Sequence, residues 1–223
     1  MSCRAVLFDL DGTLHDRAAT LAAFLPDQAR RFAGRLGDVT PAAWVAQFLA
    51  LDDRGRTPKE EVYPALLAAF GGEQDLARAL VDDYYRTSPT LARPMPAMAV
   101  TLTAARGAGL RLAIVSNGRA GLQDSVIATL ELEAMVDAVL VSERESVRKP
   151  AAELFLRAAC RLGVAPAACL FVGDDPVADI LGASGAGMAA AWLSGGAPWP
   201  GGLPSCPGAA IASLADIGTL LGF

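Results

Sequence analysis

The chain has 223 residues, 53% of them hydrophobic and 19% charged, with a formal net charge of −5 and a pI near 4.9. That apolar content fills one large domain, or a core with a small inserted domain, and excludes a disordered chain. The acidic balance argues against broad nucleic-acid binding, which needs a basic face to displace counterions from phosphates.

The first element is the apolar run Ala5 to Phe8, which reads as a buried strand and leads into Asp9, Leu10, Asp11, Gly12, Thr13 and Leu14. Carboxylates two residues apart project to the same side of an extended chain, and Gly12 permits a sharp turn after them. Such a pair can hold a divalent cation while one member acts as nucleophile and the other moves a proton. The carboxylates also interrupt the apolar run too early for a secretion leader. Residues 16–94 then carry only helical patterns. Leu21, Phe24, Leu25, Phe32 and Leu36 mark a first helical segment that Pro26 is expected to kink. Thr40 and Pro41 open a helix with Trp44, Val45, Phe48 and Leu49 inward, and Thr57, Pro58 and Glu60 read as a capping box. Gly71 and Gly72 stop that helix, and Leu76, Leu80, Val81 and Tyr84 trace another.

From there on, strand-like runs at Leu110 to Val115, Ala138 to Val141, Cys169 to Val172 and Met188 to Leu193 alternate with helices. One helix is predicted over Pro96 to Arg106, with Met98, Leu102 and Ala105 on one face. Another is predicted over Pro150 to Leu162, with Leu154, Phe155, Ala158 and Leu162 sharing a face. The alternation predicts an α/β fold, a doubly wound, Rossmann-like parallel sheet built from residues 1–15 and 95–223, with residues 16–94 inserted as an all-helical unit after the first strand. No charged residue lies between Asp179 and Asp216, yet the glycines and prolines from Gly195 to Gly208 break this stretch too often for a membrane span. It reads as a short strand, a loop and a last small element. Cys3, Cys160, Cys169 and Cys206 are scattered, which points away from a zinc site or disulfide framework and towards a reducing cytoplasm.

Four polar clusters sit at strand ends or helix starts: Asp9 with Asp11; Ser116, Asn117 and Gly118; Lys149, directly before Pro150; and Gly173, Asp174 and Asp175. In open α/β sheets the carboxyl ends of the strands form the ligand crevice, so these clusters are expected to converge. Each has a plainer reading. Ser116 and Asn117 also suit the cap of a turn, Lys149 competes with Arg148, and Asp175 before Pro176 is an expected N-cap, leaving Asp174 as the better metal ligand. Asp179 is suited to orienting Lys149 or a metal-bound water, or to offsetting a helix dipole. His15 reads as a hinge residue, with Asp16 and Arg17 beside it, and Asp52 to Arg56 as a solvated charged loop in which Arg54 or Arg56 could read an anion.

In this order the clusters resemble the four motifs of the haloacid dehalogenase superfamily: DxDGT, a Ser or Thr after an apolar strand, a Lys followed by Pro, and a GD with further acids. The similarity is to its phosphatase branch with a helical C1-type cap, the phosphoglycolate phosphatase and beta-phosphoglucomutase-like subfamily. The resemblance implies Mg²⁺-dependent hydrolysis of a small phosphorylated metabolite through an aspartyl-phosphate. Asp9 would be the nucleophile and Asp11 the general acid and base. Ser116, Lys149, Asn117 and the Gly118 amide would hold the phosphoryl group. Asp9 and Asp174 would supply carboxylates to the metal, and Asp11 its backbone carbonyl. The chemistry needs no histidine, and the dehalogenase branch lacks the second aspartate. Two alternatives stay open, a phosphosugar mutase on the same scaffold and a phosphoryl-accepting receiver-like signalling module. A membrane or nucleic-acid partner is not expected.

Overall fold

The computed structural model describes residues 3–222 and divides into two compact units, one formed by Met1–Asp16 with Arg93–Phe223, the other by Arg17–Ala92. Asp16 stays with the first unit, its N–H donating to the carbonyl of Arg93 at 2.8 Å.

The first unit is built on six parallel strands, β1 (Ala5–Phe8), β2 (Arg111–Ser116), β3 (Ala138–Val141), β4 (Cys169–Gly173), β5 (Ala189–Leu193) and β6 (Ala209–Ile211), in the order β3-β2-β1-β4-β5-β6. The chain moves outward from β1 through β2 to β3, then returns to the other side of β1 for β4. That reversal leaves a crevice at the carboxyl ends of β1 and β4, where Asp9 and Asp174 follow the strands. The central strands β1 and β4 are buried along their whole length, which is why they read as apolar runs without alternation. Leu154, Phe155 and Ala158 of the helix Ala152–Leu162 share one buried cluster with Leu7, Val115 and Phe171. The Phe155 and Phe171 rings meet edge to face at 4.9 Å. The helix Met98–Gly107 buries Met98, Leu102 and Ala105 as its spacing predicts. Among the described residues no helix is long and apolar enough to cross a membrane.

The second unit contains the helices Arg17–Arg31, Pro41–Asp52, Lys59–Ala69 and Leu76–Thr87. The first contains Pro26 and ends at Arg31, and a further short helix follows Phe32. Thr40 caps the second, its hydroxyl accepting from the N–H of Ala43 at 3.2 Å. Leu49 is 48% exposed, against expectation, because the buried stripe steps by four through Trp44, Phe48 and Asp52. The Thr57 capping box does not form: Pro58 keeps extended backbone, so it occupies the cap position and the helix starts at Lys59. Asp52 is buried rather than solvated. Its carboxylate accepts from Arg17 at 2.8 and 3.0 Å and from the N–H of Gly55 at 2.8 Å, and lies 2.6 Å from Lys59.

A second buried acid, Asp83, accepts from Gln28 at 3.0 Å, from Arg31 at 2.5 Å and from Thr87 at 3.1 Å, while Gln28 in turn accepts from the Tyr63 hydroxyl at 2.8 Å. Burial alone would raise the Asp83 carboxyl, but the bonds from Arg31, Gln28 and Thr87 outweigh it and hold the group below its ordinary value. A carboxyl lowered by folding contributes stability that is complete above the unfolded value of about 4 and is lost as pH falls through the folded one. Asp83→Ala is therefore expected to cost about 2 kcal/mol at neutral pH. Urea unfolding at several pH values should show the gap to wild type closing on acidification, and a gap independent of pH would contradict this account.

Candidate active site

The ladder of β1 continues one residue past the strand, with the N–H of Asp9 donating to Val172 O at 2.9 Å. Beyond it the chain is no longer extended. The N–H groups of Thr13, Leu14 and His15 all aim at the carbonyl of Leu10, at 3.2, 3.0 and 2.8 Å, and the N–H of Gly12 donates to His15 O at 2.9 Å. Strand alternation thus places Asp9, whereas a closed turn, not alternation, places Asp11. Gly12 has φ +88°, and a Cβ there would lie 2.7 Å from Asp174 Oδ2. Only glycine lets this turn and the Asp174 carboxylate sit so close.

Lys149 is 3% exposed, with its Nζ 2.6 Å from Asp9 Oδ1 and 2.7 Å from Asp179 Oδ1. Its backbone is clamped by Asn117, whose Oδ1 accepts from the Lys149 N–H and whose Nδ2 donates to the Lys149 carbonyl, both at 2.9 Å. The side chain of Asn117 is thus engaged in placing Lys149, and the Gly118 N–H is engaged with Ser142 Oγ at 3.1 Å. Ser116, at the end of β2, accepts from Gln123 Nε2 at 2.7 Å. Asp175 caps a wide helical turn over Pro176–Leu181, its Oδ1 accepting from Val177 and Ala178 at 2.9 and 2.8 Å. The same turn carries Asp179, whose Oδ2 accepts from the Asp175 N–H at 3.0 Å.

Carboxylate oxygens of Asp9, Asp174 and Asp179 lie within 4.8 Å of one another. Burial, reinforced by the neighbouring carboxylates and only partly countered by Lys149, pushes Asp9 up to about 6 and Asp179 up to about 7. Burial works against the Lys149 charge, but the fields of Asp179 and Asp9 prevail and keep it protonated. Three carboxylates against one ammonium leave excess negative charge in a buried site, which suits a hard divalent cation. The Asp11 carboxylate points elsewhere. One of its oxygens lies 2.6 Å from His15 Nδ1 and the other accepts from Gln123 Nε2 at 2.8 Å.

The sheet unit therefore brings Asp9, Lys149 and Asp174 together, places Ser116 and Asp11 on a shared partner, and uses Asn117 and Gly118 as supports. Gln123, Ser142 and Trp192, whose Nε1 donates to the backbone of Asp174 at 3.0 Å, are contributors that motif spacing does not mark. His15 is a partner of Asp11 rather than a plain hinge.

A family model of haloacid dehalogenase-like hydrolases matches residues 3–187. The chain belongs to that family. Among curated relatives, the glyceraldehyde 3-phosphate phosphatase of Methanopyrus kandleri is 32% identical over 197 residues, covering 83% of this chain and 81% of that protein. The phosphoglycolate phosphatase of Xanthomonas campestris pv. campestris is 33% identical over 196 residues, covering 85% and 83%. The phosphoserine phosphatase of Thermus thermophilus is 33% identical over 156 residues, 70% of this chain but only 58% of that protein. Among solved structures, a HAD hydrolase of Bacillus subtilis bound to magnesium superposes with a TM-score of 0.83 at 24% identity, covering all of both chains. A 2-haloacid dehalogenase of Pseudomonas syringae pv. Tomato gives 0.67 at 27% identity, covering 99% of this chain and 98% of that one. The chain is thus an enzyme of a hydrolase family whose members share the core described above.

Proposed function

We propose that this haloacid dehalogenase-like hydrolase is a Mg²⁺-dependent phosphatase of small phosphorylated metabolites that works through an aspartyl-phosphate on Asp9. The observation that carries the reading is the cluster of buried Asp9 and Asp179 with half-buried Asp174 around Lys149, beside a second, separately held aspartate at position 11. The carboxylates of Asp9 and Asp174, with the Asp11 backbone carbonyl that the family resemblance adds, would hold the ion. When bound, Mg²⁺ neutralises part of the repulsion between a phosphate dianion and these acids.

Asp9 attacks phosphorus as the bond to the leaving alcohol breaks, and Asp11 delivers the proton that alcohol needs. In the second step Asp11 takes a proton from the water that cleaves the aspartyl-phosphate. Lys149, as a point charge, and Ser116, through its hydroxyl, stabilise the phosphoryl oxygens. The presence of Asp11 in a dedicated hydrogen-bonded setting supports phosphate over halide chemistry, since leaving alkoxides need a proton and halides do not. The names of the relatives support substrates of the phosphoglycolate, phosphoserine and glyceraldehyde 3-phosphate kind. We assign residues 17–92 the role of the cap that selects the leaving group. The scattered free cysteines fit a cytoplasmic enzyme.

Phosphate release from p-nitrophenyl phosphate in Mg²⁺, lost in EDTA, tests the activity. Mg²⁺ alone should also raise the thermal midpoint, by the equivalent of about 2.7 kcal/mol at a hundredfold excess over Kd. Asp174→Ala should abolish both responses. Turnover that survives EDTA, together with a midpoint indifferent to Mg²⁺, would remove the metal from the account.

A further inference from the structure

We propose that Gln123 is a positioning residue that aims two parts of the site at once: it holds the Asp11 carboxylate for proton transfer, and it turns the Ser116 hydroxyl into a donor towards the phosphoryl group. The inference rests on the phosphatase reading above.

Gln123 lies on the helix Ala120–Thr129 and is 1% exposed. Its Nε2 is 2.8 Å from Asp11 Oδ2 and 2.7 Å from Ser116 Oγ, so each amide hydrogen has its own acceptor. In its ionised form, the one that takes a proton from water in the second step, the Asp11 carboxylate only accepts, and the amide presents its nitrogen to it. The consequence is an orphan. Gln123 Oε1 is buried with no hydrogen-bond partner among the described residues. A residue kept for packing alone would avoid that cost, because methionine or leucine fills similar volume without a polar atom. The amide is accounted for by what its nitrogen holds.

Two consequences follow for the chemistry. Asp11 is gripped at both oxygens, by His15 Nδ1 at 2.6 Å and by Gln123, so rotation of its carboxylate is restrained. A general acid must lie within hydrogen-bond reach of the leaving oxygen, and small misplacements are costly. Ser116 has a single proton; since its oxygen accepts from Gln123, that proton is directed elsewhere, towards the space a phosphoryl oxygen would occupy. The arrangement also gives Gly118 a reason. A Cβ at Gly118 would lie 2.8 Å from Gln123 Nε2, so glycine there clears room for the amide.

The test compares wild type, Gln123→Met and Gln123→Leu on p-nitrophenyl phosphate and benzyl phosphate, with thermal midpoints as the folding control. Under this mechanism kcat/KM reports steps up to formation of the aspartyl-phosphate. Nitrophenolate leaves without a proton, whereas benzyl alkoxide requires one. Loss of Asp11 aim should lower kcat/KM for the benzyl ester about 30-fold or more and for the nitrophenyl ester by only about 3-fold. Equal losses on both esters, or no loss, would overturn the proposal. Crystal structures of wild type and Gln123→Met give a readout independent of turnover: the Asp11 carboxylate should rotate or spread over several orientations, and an unmoved Asp11 would also overturn the proposal. If wild type cleaves neither ester, the phosphatase reading falls, and the crystallographic comparison still decides whether Gln123 holds Asp11.

Discussion

Replacing Asp9 by asparagine is expected to lower turnover by about 10⁴-fold or more while leaving the fold in place. The amide has the size of the carboxylate, and its oxygen can still accept from Lys149, which stands 2.6 Å away in the native site. What it lacks is the nucleophilic oxygen that would form the bond to phosphorus. Acid-quenched mass spectrometry makes the expectation specific. Wild type mixed with substrate should carry a phosphoryl adduct, and Asp9→Asn should carry none. Asp11→Asn should show the opposite pattern, keeping the adduct because its nucleophile is intact while water activation is lost. Near-native turnover by Asp9→Asn, or an adduct on that variant, would move the nucleophile elsewhere.

The central strands were legible because both their faces are covered, so Ala5 to Phe8 and Cys169 to Val172 stand out as uninterrupted apolar runs. β6 escaped because its three residues, Ala209–Ile211, are too few to carry a pattern; parallel pairing to β5 holds them in the sheet. Within the helical unit, Leu49 and the Thr57 box misled for related reasons. Periodicity marks a stripe but not its edge, and a cap signal does not say which of two adjacent residues keeps extended backbone. In the site, motif residues at strand ends were readable because a parallel sheet converges them at the β1/β4 reversal. Asp179, one helical turn past Asp175, was readable as a partner for Lys149 and forms that ion pair. Gln123 and Trp192 were harder, since each reaches the site from an element that no motif marks, Gln123 by a hydrogen bond across 112 residues to Asp11. Tertiary placement, not local spacing, decides such contacts. The glycines were the available clue, since Gly12 and Gly118 stand where a side chain would strike Asp174 or Gln123.

Lys149→Met should lower turnover by about 10²- to 10³-fold and destabilise the protein by about 3 kcal/mol. The two losses have different origins. Stability falls because Lys149 is the cation between Asp9 and Asp179, both already raised by burial with the ammonium in place; without it two buried carboxylates face each other. Turnover falls because a charge that stabilises the phosphoryl oxygens is missing. The pair Lys149→Met with Asp179→Asn separates the two effects. Removing one of the opposed carboxylates should return much of the stability, measured by urea unfolding, yet leave turnover at the level of Lys149→Met. Lys149→Arg should likewise recover charge balance better than activity, because a planar guanidinium does not fit the place of a compact ammonium lying 5.3 Å from the centre of the Phe171 ring. Recovery of turnover in the double variant would show that Lys149 serves only as a counterion to Asp9 and Asp179, and would remove it from the phosphoryl-binding machinery.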